Sequence, residues 1–526
     1  MSSRPPKIRL RKLRTLVAVV FALGSVLWSA FSIRGWFAEQ QPPSNMPWTL
    51  RGRPQRPPEL ANAPVPKPVL AQAAFASRQS TAGLTNAAAL FNTTGFWTVH
   101  LQFTPEQWAA IEPHQIQPLE QQRFGGRMDL RNPAAKRNGL AGVRGVEFEW
   151  VHAAVEFEDR TFADAAVRYK GNGTYLRSQH GTKRPFKVDL NKYDKTNGLA
   201  ERTTLNFANL VADDSFIHDA LAYEMFRAAG VPAPRTAFAR LWITTGQAPP
   251  SYLGVYELAE NLDGDFAKER FGTRHGAIFK PVTHELFSDL GDDWSAYQGI
   301  YDPKEKITPA QSGRVIEFAK LLTHADDATF AARVGEFIEL DEFARFLAGM
   351  VLLSSYDGFL NNGQNFYLWL SPETQRFQFI PWDLDHAWGD FSVAGSPPDL
   401  AHASIWHPWM GRHRLLERIM IVPDFETRYR RALEDMLTTV FAPKHLLQRV
   451  NELATQLRPV VAEDAPRKFS RFGPAVTETR YETPGHDGSN FGWNHPPFPL
   501  KWFITERARS VRDQLDGTSE GVLLKH

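Results

Sequence analysis

The sequence predicts an α+β protein of two lobes, strand-rich first and helical second, set behind an N-terminal membrane-spanning helix. Three observations carry this. Alternating runs at 96–103, 146–157, 238–243 and 252–258 crowd the first part of the chain. Apolar residues at helical spacing dominate 311–350, 423–440, 444–457 and 502–515. An uncharged apolar stretch precedes both. With 526 residues, 43% apolar and 12% aromatic, the chain can bury sizeable cores. The boundaries read as a basic cytoplasmic tail at 1–14, an anchor at 15–33, a proline-rich linker at 34–94, a strand-rich lobe at 95–263 and a helical lobe at 264–526.

Residues 1–14 hold six Lys or Arg and no acid, and 15–32 (TLVAVVFALGSVLWSAFS) is long and apolar enough to span a bilayer. That charge asymmetry places the N-terminus in the cytoplasm and the rest outside it. The residues near Trp28-Ser-Ala30 offer no small-x-small cleavage site, which favours an uncleaved anchor over a signal peptide. Prolines crowd 41–73 without apolar periodicity, so this stretch reads as an extended tether. A net charge of +2 gives no electrostatic case for a nucleic-acid partner. The absence of cysteine excludes disulfides, thiolate nucleophiles and cysteine-ligated zinc.

In the strand-rich lobe, Thr104 caps a short helix (PEQWAAI) after the first strand. Next comes a strand ending at Tyr169-Lys170, then Gly171-Asn-Gly173, then a strand-like run at 184–190 that carries Lys187. A strand, a Gly-x-Gly turn and a second strand with a lysine is how a nucleotide lid is built, since glycines let backbone N–H groups approach phosphate. Such turns are common in structural roles too. A helix at 216–229 ends at Gly230-Val-Pro232. Glu224 falls on its apolar side with Ile217, Ala220, Leu221 and Ala228, where a carboxylate needs a partner. A lysine on the preceding sheet would serve; the bland reading is a glutamate at the margin reaching water.

The chemistry concentrates at 340–389. A one-sided helix, with Asp341 as expected N-cap, leads to Asp357-Gly-Phe-Leu-Asn-Asn362-Gly-Gln-Asn365. Strands at 366–370 and 376–380, joined by Ser371-Pro-Glu-Thr374, form a hairpin, and Pro381-Trp-Asp383-Leu-Asp385 follows. Pairing across that turn brings Asn365 and Asp383 together at the hairpin's open end, beside Asp357. Asp, Asn and Asp converging at a strand end are hard oxygen ligands suited to Mg²⁺ and, through it, to phosphate. The same order of parts occurs in protein kinases, where an Asp precedes a metal-binding Asn by five positions and a hairpin delivers a second metal-binding Asp. Here the His-Arg before the first Asp is replaced by Ser355-Tyr356, and the Phe-Gly after the second by Leu384-Asp385. No Gly-Lys-Ser/Thr phosphate loop, Gly-x-Ser-x-Gly elbow or His-Glu-x-x-His zinc helix is present.

Several stretches together resemble the CotH kinase family: RYKGNGTYLRS with KRPFKVDL, YLGVYELAENLD with GAIFKP, YDGFLNNGQNFYLWL, PWDLDHAWG and the final WFITERARSVRDQL, in the family's order from about 96 to 516. The resemblance implies an atypical protein-kinase-like two-lobe fold, ATP with Mg²⁺ or Mn²⁺, and phosphate transfer to a protein on the cell surface or in the envelope. It implies that Asp357 is the catalytic Asp, that Asn362 or Asn365 and Asp383 bind metal, and that Gly171, Gly173, Lys187 and Glu224 serve the nucleotide. Lys183 and Lys280 are alternative lysines. Two other readings remain in view. Asp383-Leu-Asp385 also resembles the Asp-x-Asp of aspartyl-phosphate phosphatases and of glycosyltransferases, whose folds want an open parallel sheet. A non-catalytic surface adhesion or interaction protein on the same scaffold would avoid the scarcity of ATP outside the cytoplasm. The topology predicts that a reporter fused after residue 526 is exposed on the far side of the membrane; protease protection of the reporter in intact cells would overturn that localisation.

Overall fold

The computed structural model describes residues 79–526, apart from 117–122, 125–126, 129–131, 133, 137, 465, 482–496 and 526. The basic tail, the expected anchor at 15–33 and most of the linker lie outside the described residues. Among the described residues no helix is long and apolar enough to cross a membrane. The last part of the expected linker belongs to the fold. Ala87, Leu90 and Phe91 are buried in the strand-rich core, the Trp97 indole donates to Leu90 O (2.9 Å), and Gln79 N donates to Glu158 (2.8 Å). Apolar residues spaced at i, i+3 and i+4 there outweigh the polar composition around them.

Strands β1 (Phe96–Phe103), β2 (Val151–Phe157), β3 (Arg160–Tyr169), β4 (Phe186–Asp189), β5 (Thr204–Ala208), β6 (Thr236–Thr245) and β7 (Ser251–Ala259) close into a barrel in the order β1-β6-β7-β5-β4-β3-β2. β1 runs parallel to β6, with Phe96 opposite Phe238; the other neighbouring pairs are antiparallel. The expected sheet is thus rolled shut, which leaves no edge among these strands. Alternation decides what each strand buries. Tyr256 and Leu258 of β7 pack with Ala237, Ala239 and Leu241 of β6 in the barrel core, while Phe238 and Val255, on the opposite faces, join the helical core.

Between β3 and β4 the Gly-x-Gly segment is more than a turn. Gly171 takes φ +85°, but Gly173 starts a short helix, α1 (Gly173–Ser178). Helix α2 (His218–Ala228) belongs in sequence to the strand-rich part, yet Ala220, Leu221, Ala222, Tyr223, Met225 and Phe226 pack in the helical core. That core is built with α4 (Pro309–His324), α5 (Leu340–Leu352), α6 (Pro423–Thr438), α7 (Pro443–Val461), α8 (Pro466–Thr477) and α9 (Leu500–Leu515) around it, while α3 (Gly264–Phe271) buries Phe266 and Ala267 in a separate small cluster with Trp369 and Trp382. α5 begins one residue before Asp341, with Glu339 as N-cap and no side-chain cap bond. α8 replaces part of an expected loop.

The hairpin forms as the sequence indicates. β9 (Phe366–Leu370) and β10 (Phe377–Pro381) pair antiparallel with Phe366 opposite Pro381, and Ser371 Oγ accepts from Glu373 N and Thr374 N in the turn. A third antiparallel strand, β8 (Ala277–Phe279), joins β9. This small antiparallel sheet is not the open parallel sheet that the phosphatase and glycosyltransferase readings need. α5 and α2 meet where Gly349 faces Phe226: a Cβ at 349 would lie 2.2 Å from the Phe226 ring. Gly349→Ala should therefore lower stability by about 1–3 kcal/mol through overpacking, read as a shift of the urea midpoint. An unchanged midpoint would mean that this helix contact is looser than described.

Candidate active site

The hairpin's open end assembles the predicted residues. Trp382 N donates to Asn365 O (3.1 Å), extending the β9–β10 ladder by one step. Asn365 Nδ2 donates to Asp357 O (2.6 Å), and Asn362 Nδ2 donates to Asp357 Oδ1 (2.6 Å), which Gln364 Nε2 also reaches (3.2 Å). Both amides thus turn their NH₂ ends to Asp357. Asn362 Oδ1 already accepts from Asn361 (3.0 Å), which makes Asn365 Oδ1 the freer amide oxygen for a cation. Among the described residues both of these side-chain bonds fall on one carboxylate oxygen of Asp357, and the second oxygen accepts none. Asn365 and Asp383 hold φ values of +59° and +56°, a strained conformation for residues with a Cβ and one that persists only where surroundings enforce it.

Helix α2 does the enforcing. Asp383 N donates to Tyr223 Oη (2.8 Å), Leu384 N donates to Asp219 Oδ1 (2.5 Å), His218 Nδ1 lies 2.9 Å from Asp385 O, and the Trp388 indole donates to His218 O (3.0 Å). Asp213 in turn accepts from His218 N (2.8 Å) and Ser215 N (2.7 Å) at the start of α2. None of these α2 residues was identified from the sequence. Their signal was the polar first turn, Asp213-Asp-Ser215 through Asp219, on a helix otherwise apolar on its inner side.

The lysines sort themselves. Lys183 is committed to Asp464 at 2.5 Å, away from the hairpin. Lys187, paired across from Arg168, bonds Asn261 Oδ1 (3.1 Å); burial, with Arg168 and Lys170 nearby, pushes it down to about 7. Lys280 Nζ lies 5.9 Å from the Trp382 ring. Lys170, which directly precedes Gly171, approaches the same ring and stands within electrostatic reach of the carboxylates. Its Nζ lies 5.7 Å from the Trp382 ring. Desolvation lowers it, against the opposing pull of Asp383, Asp219 and Glu257. The helix that Gly173 begins supplies a second cation, Arg177, lowered by desolvation and facing Asp385, Asp390, Asp214 and Asp357.

Glu224 is the clear correction. Its carboxylate takes both Arg449 Nε and Nη2 (2.8 Å each) and Thr93 Oγ1 (3.1 Å). The needed partner exists, but it comes from α7 rather than from a sheet lysine. Beside Asp383 stand two carboxylates that the sequence reading left unassigned. Asp385 is raised to about 6 by burial, with Asp383 and Asp357 adding and His386 opposing. Asp219 is raised by burial and by Glu257, Asp385 and Asp383.

Among the described residues no three His, Asp or Glu side chains form a ready-made metal cage. The donor set fits a cation that arrives with phosphate: carboxylates at 383 and 385, an amide oxygen at 365 and a lysine opposite, since Mg²⁺ commonly takes one or two carboxylates and draws its other oxygens from water and phosphate.

A family model described as CotH kinase protein matches residues 167–510, a span that begins on β3 and includes every residue of the cleft. Among curated proteins, the inner spore coat protein H of Bacillus subtilis (strain 168) is 27% identical over 260 residues, covering 49% of this chain and 68% of that protein. The geometry yields a direct prediction for Glu224. Glu224→Ala should lower stability by about 1–3 kcal/mol by stripping Arg449 of its carboxylate, and leave nucleotide binding unchanged; weakened binding in calorimetry would return Glu224 to the site.

Proposed function

Since the chain belongs to the CotH kinase family, we propose that it is a metal-dependent phosphotransferase that moves the terminal phosphate of ATP to a hydroxyl of a protein, from an extracytoplasmic position behind its N-terminal anchor. The observation that supports this best is the meeting of Asp357, Asn365, Asp383 and Lys170 in one cleft between barrel and helices. The two-lobe, kinase-like reading of the fold rests on the same arrangement: a strand-rich unit carries Lys170 and the Gly171–Gly173 lid, and a helical unit carries the acids.

In this reading Asp383 and Asn365 hold Mg²⁺ or Mn²⁺, which supplies charge neutralisation to the phosphates when bound. Lys170 faces the phosphates as a point charge, the role expected of Lys187 from local pattern. Asp357, oriented by Asn362 and Gln364 through one oxygen, accepts the hydroxyl proton through the other and positions the acceptor. Arg177 counters the charge of Asp385 and Asp357 from the lid side. The acceptor is proposed to be a protein of the cell surface or envelope.

The decisive comparison uses full-length protein with labelled ATP and Mg²⁺ or Mn²⁺. Asp383→Ala and Lys170→Ala should lose or weaken metal-dependent nucleotide binding. Asp357→Ala should bind normally but transfer phosphate about 10²–10⁴-fold more slowly. If wild type binds no nucleotide with either metal and the three variants differ only in melting temperature, the chain is an interaction protein on this scaffold instead.

A further inference from the structure

Among the described residues Glu257 is a carboxyl group of the cleft with no hydrogen-bond donor on either oxygen. It is fully buried. Its place follows from strand alternation. On β7 its neighbours Tyr256 and Leu258 point into the barrel core, so Glu257, opposite Phe238 of β6, points with Val255 toward the helical part. There it faces Asp213, Lys170, Asp385 and Asp383. Leaving both oxygens of a buried carboxyl group unpaired costs several times what an ordinary hydrogen bond contributes.

Lys170 has the complementary deficit. It stands within electrostatic reach of Asp383, Asp219 and Glu257, yet among the described residues no salt bridge joins it to any of them. A carboxylate lacking a donor and an ammonium lacking an acceptor therefore flank the same space, with Asp383 beside both. A bridging water could donate to Glu257 and accept from Lys170, but it would leave the negative charge of the neighbouring acids unanswered. A cation carried on a phosphate group satisfies both at once, offering positive charge to Glu257 and anionic oxygen to Lys170.

We infer that Glu257 is a further ligand, direct or through one water, of the divalent cation that enters bound to a polyphosphate, so that the cation bridges the barrel (Glu257) and the hairpin loop (Asp383). This deepens the phosphotransferase reading and rests on it for the identity of the phosphate donor only. The cation clamps the two parts of the cleft, and the site is complete only when phosphate and metal are present together.

The test uses full-length wild type, Glu257→Gln, Glu257→Asp and Asp383→Ala with Mn²⁺ plus tripolyphosphate, and separately with Mn²⁺ plus ATP. Bound Mn²⁺ is read by electron paramagnetic resonance, and melting is followed with and without ligand. Glu257→Gln should weaken Mn²⁺–tripolyphosphate binding about 10–100-fold. Without ligand it should melt close to wild type, because burial already pushes Glu257 up to about 8 and glutamine keeps the size and shape of the protonated side chain. Glu257→Asp should recover part of the affinity. Three outcomes discriminate. Equal Mn²⁺–tripolyphosphate binding by wild type and Glu257→Gln would sink the inference while leaving the kinase reading intact. Binding that depends on Glu257 without any transfer from ATP would uphold it and sink the kinase reading. Failure of wild type to bind Mn²⁺ with either polyphosphate would sink both.

Discussion

The cleft depends on how helix α2 grips the backbone of residues 383–388. Three side chains from its first two turns, His218, Asp219 and Tyr223, satisfy Asp383 N, Leu384 N and Asp385 O, and His218 O takes the Trp388 indole. Asp383 can hold a positive φ because its own N–H and the next are fixed from outside the loop. Remove that grip and the loop would relax toward an ordinary turn, re-aiming Asp383 and Asp385. The helix is itself fixed at its start by Asp213 and along its length by Phe226 against Gly349 of α5. The same two helices thus place both halves of the acidic site: α5 delivers the chain to Asp357, and α2 holds Asp383.

Charge is the second constraint. Asp213, Asp219, Glu257, Asp383 and Asp385 crowd one junction, and Lys170 and Arg177 answer them from the barrel side. Burying carboxylates in such proximity raises their affinity for protons and for cations alike. A scaffold selected only for stability would replace most of them with apolar side chains, since buried ionic groups rarely stabilise a fold over well-packed hydrophobic ones. Other buried acids are ion-paired: Glu260 is met by Arg202, Arg235 and Arg270, and Asp464 by Lys183; Glu342, with only Phe379 N on one oxygen, is an exception outside the cleft.

The barrel's closure anchors the Gly171 segment at both ends, because β3 and β4, which flank Gly171 and α1, are each paired on both sides. α9 performs a similar service for the helical part. Its buried Arg507 donates to the carbonyls of Val351, Ala401 and Ala403, tying the end of α5 to the loop after the hairpin.

Local pattern was enough for the hairpin, for α5 and for the strands of the barrel, because alternation and 3.6-residue spacing are written in consecutive residues. It was also enough to bring Asp357, Asn362, Asn365 and Asp383 together, since one antiparallel pairing fixes which strand ends meet. Barrel closure was not legible: the parallel contact of β1 with β6 joins residues 96–103 to 236–245, and nothing in either strand's own pattern names its partner. The same limit explains Lys187 and Glu224. Both sit on locally correct elements, but which groups face each other depends on how α2 packs, and it packs with the helices, giving Glu224 to Arg449 and Asp219 to the loop at Leu384. Lys170, Asp219 and Glu257 drew no notice in sequence because each looks like an ordinary charged residue on a strand end, a helix turn or a strand. Sequence by itself determined the elements and the chemistry that adjacent residues deliver; only the tertiary structure decided which distant charges share a cleft, because burial and electrostatic partnership belong to the packing between elements and not to any one of them.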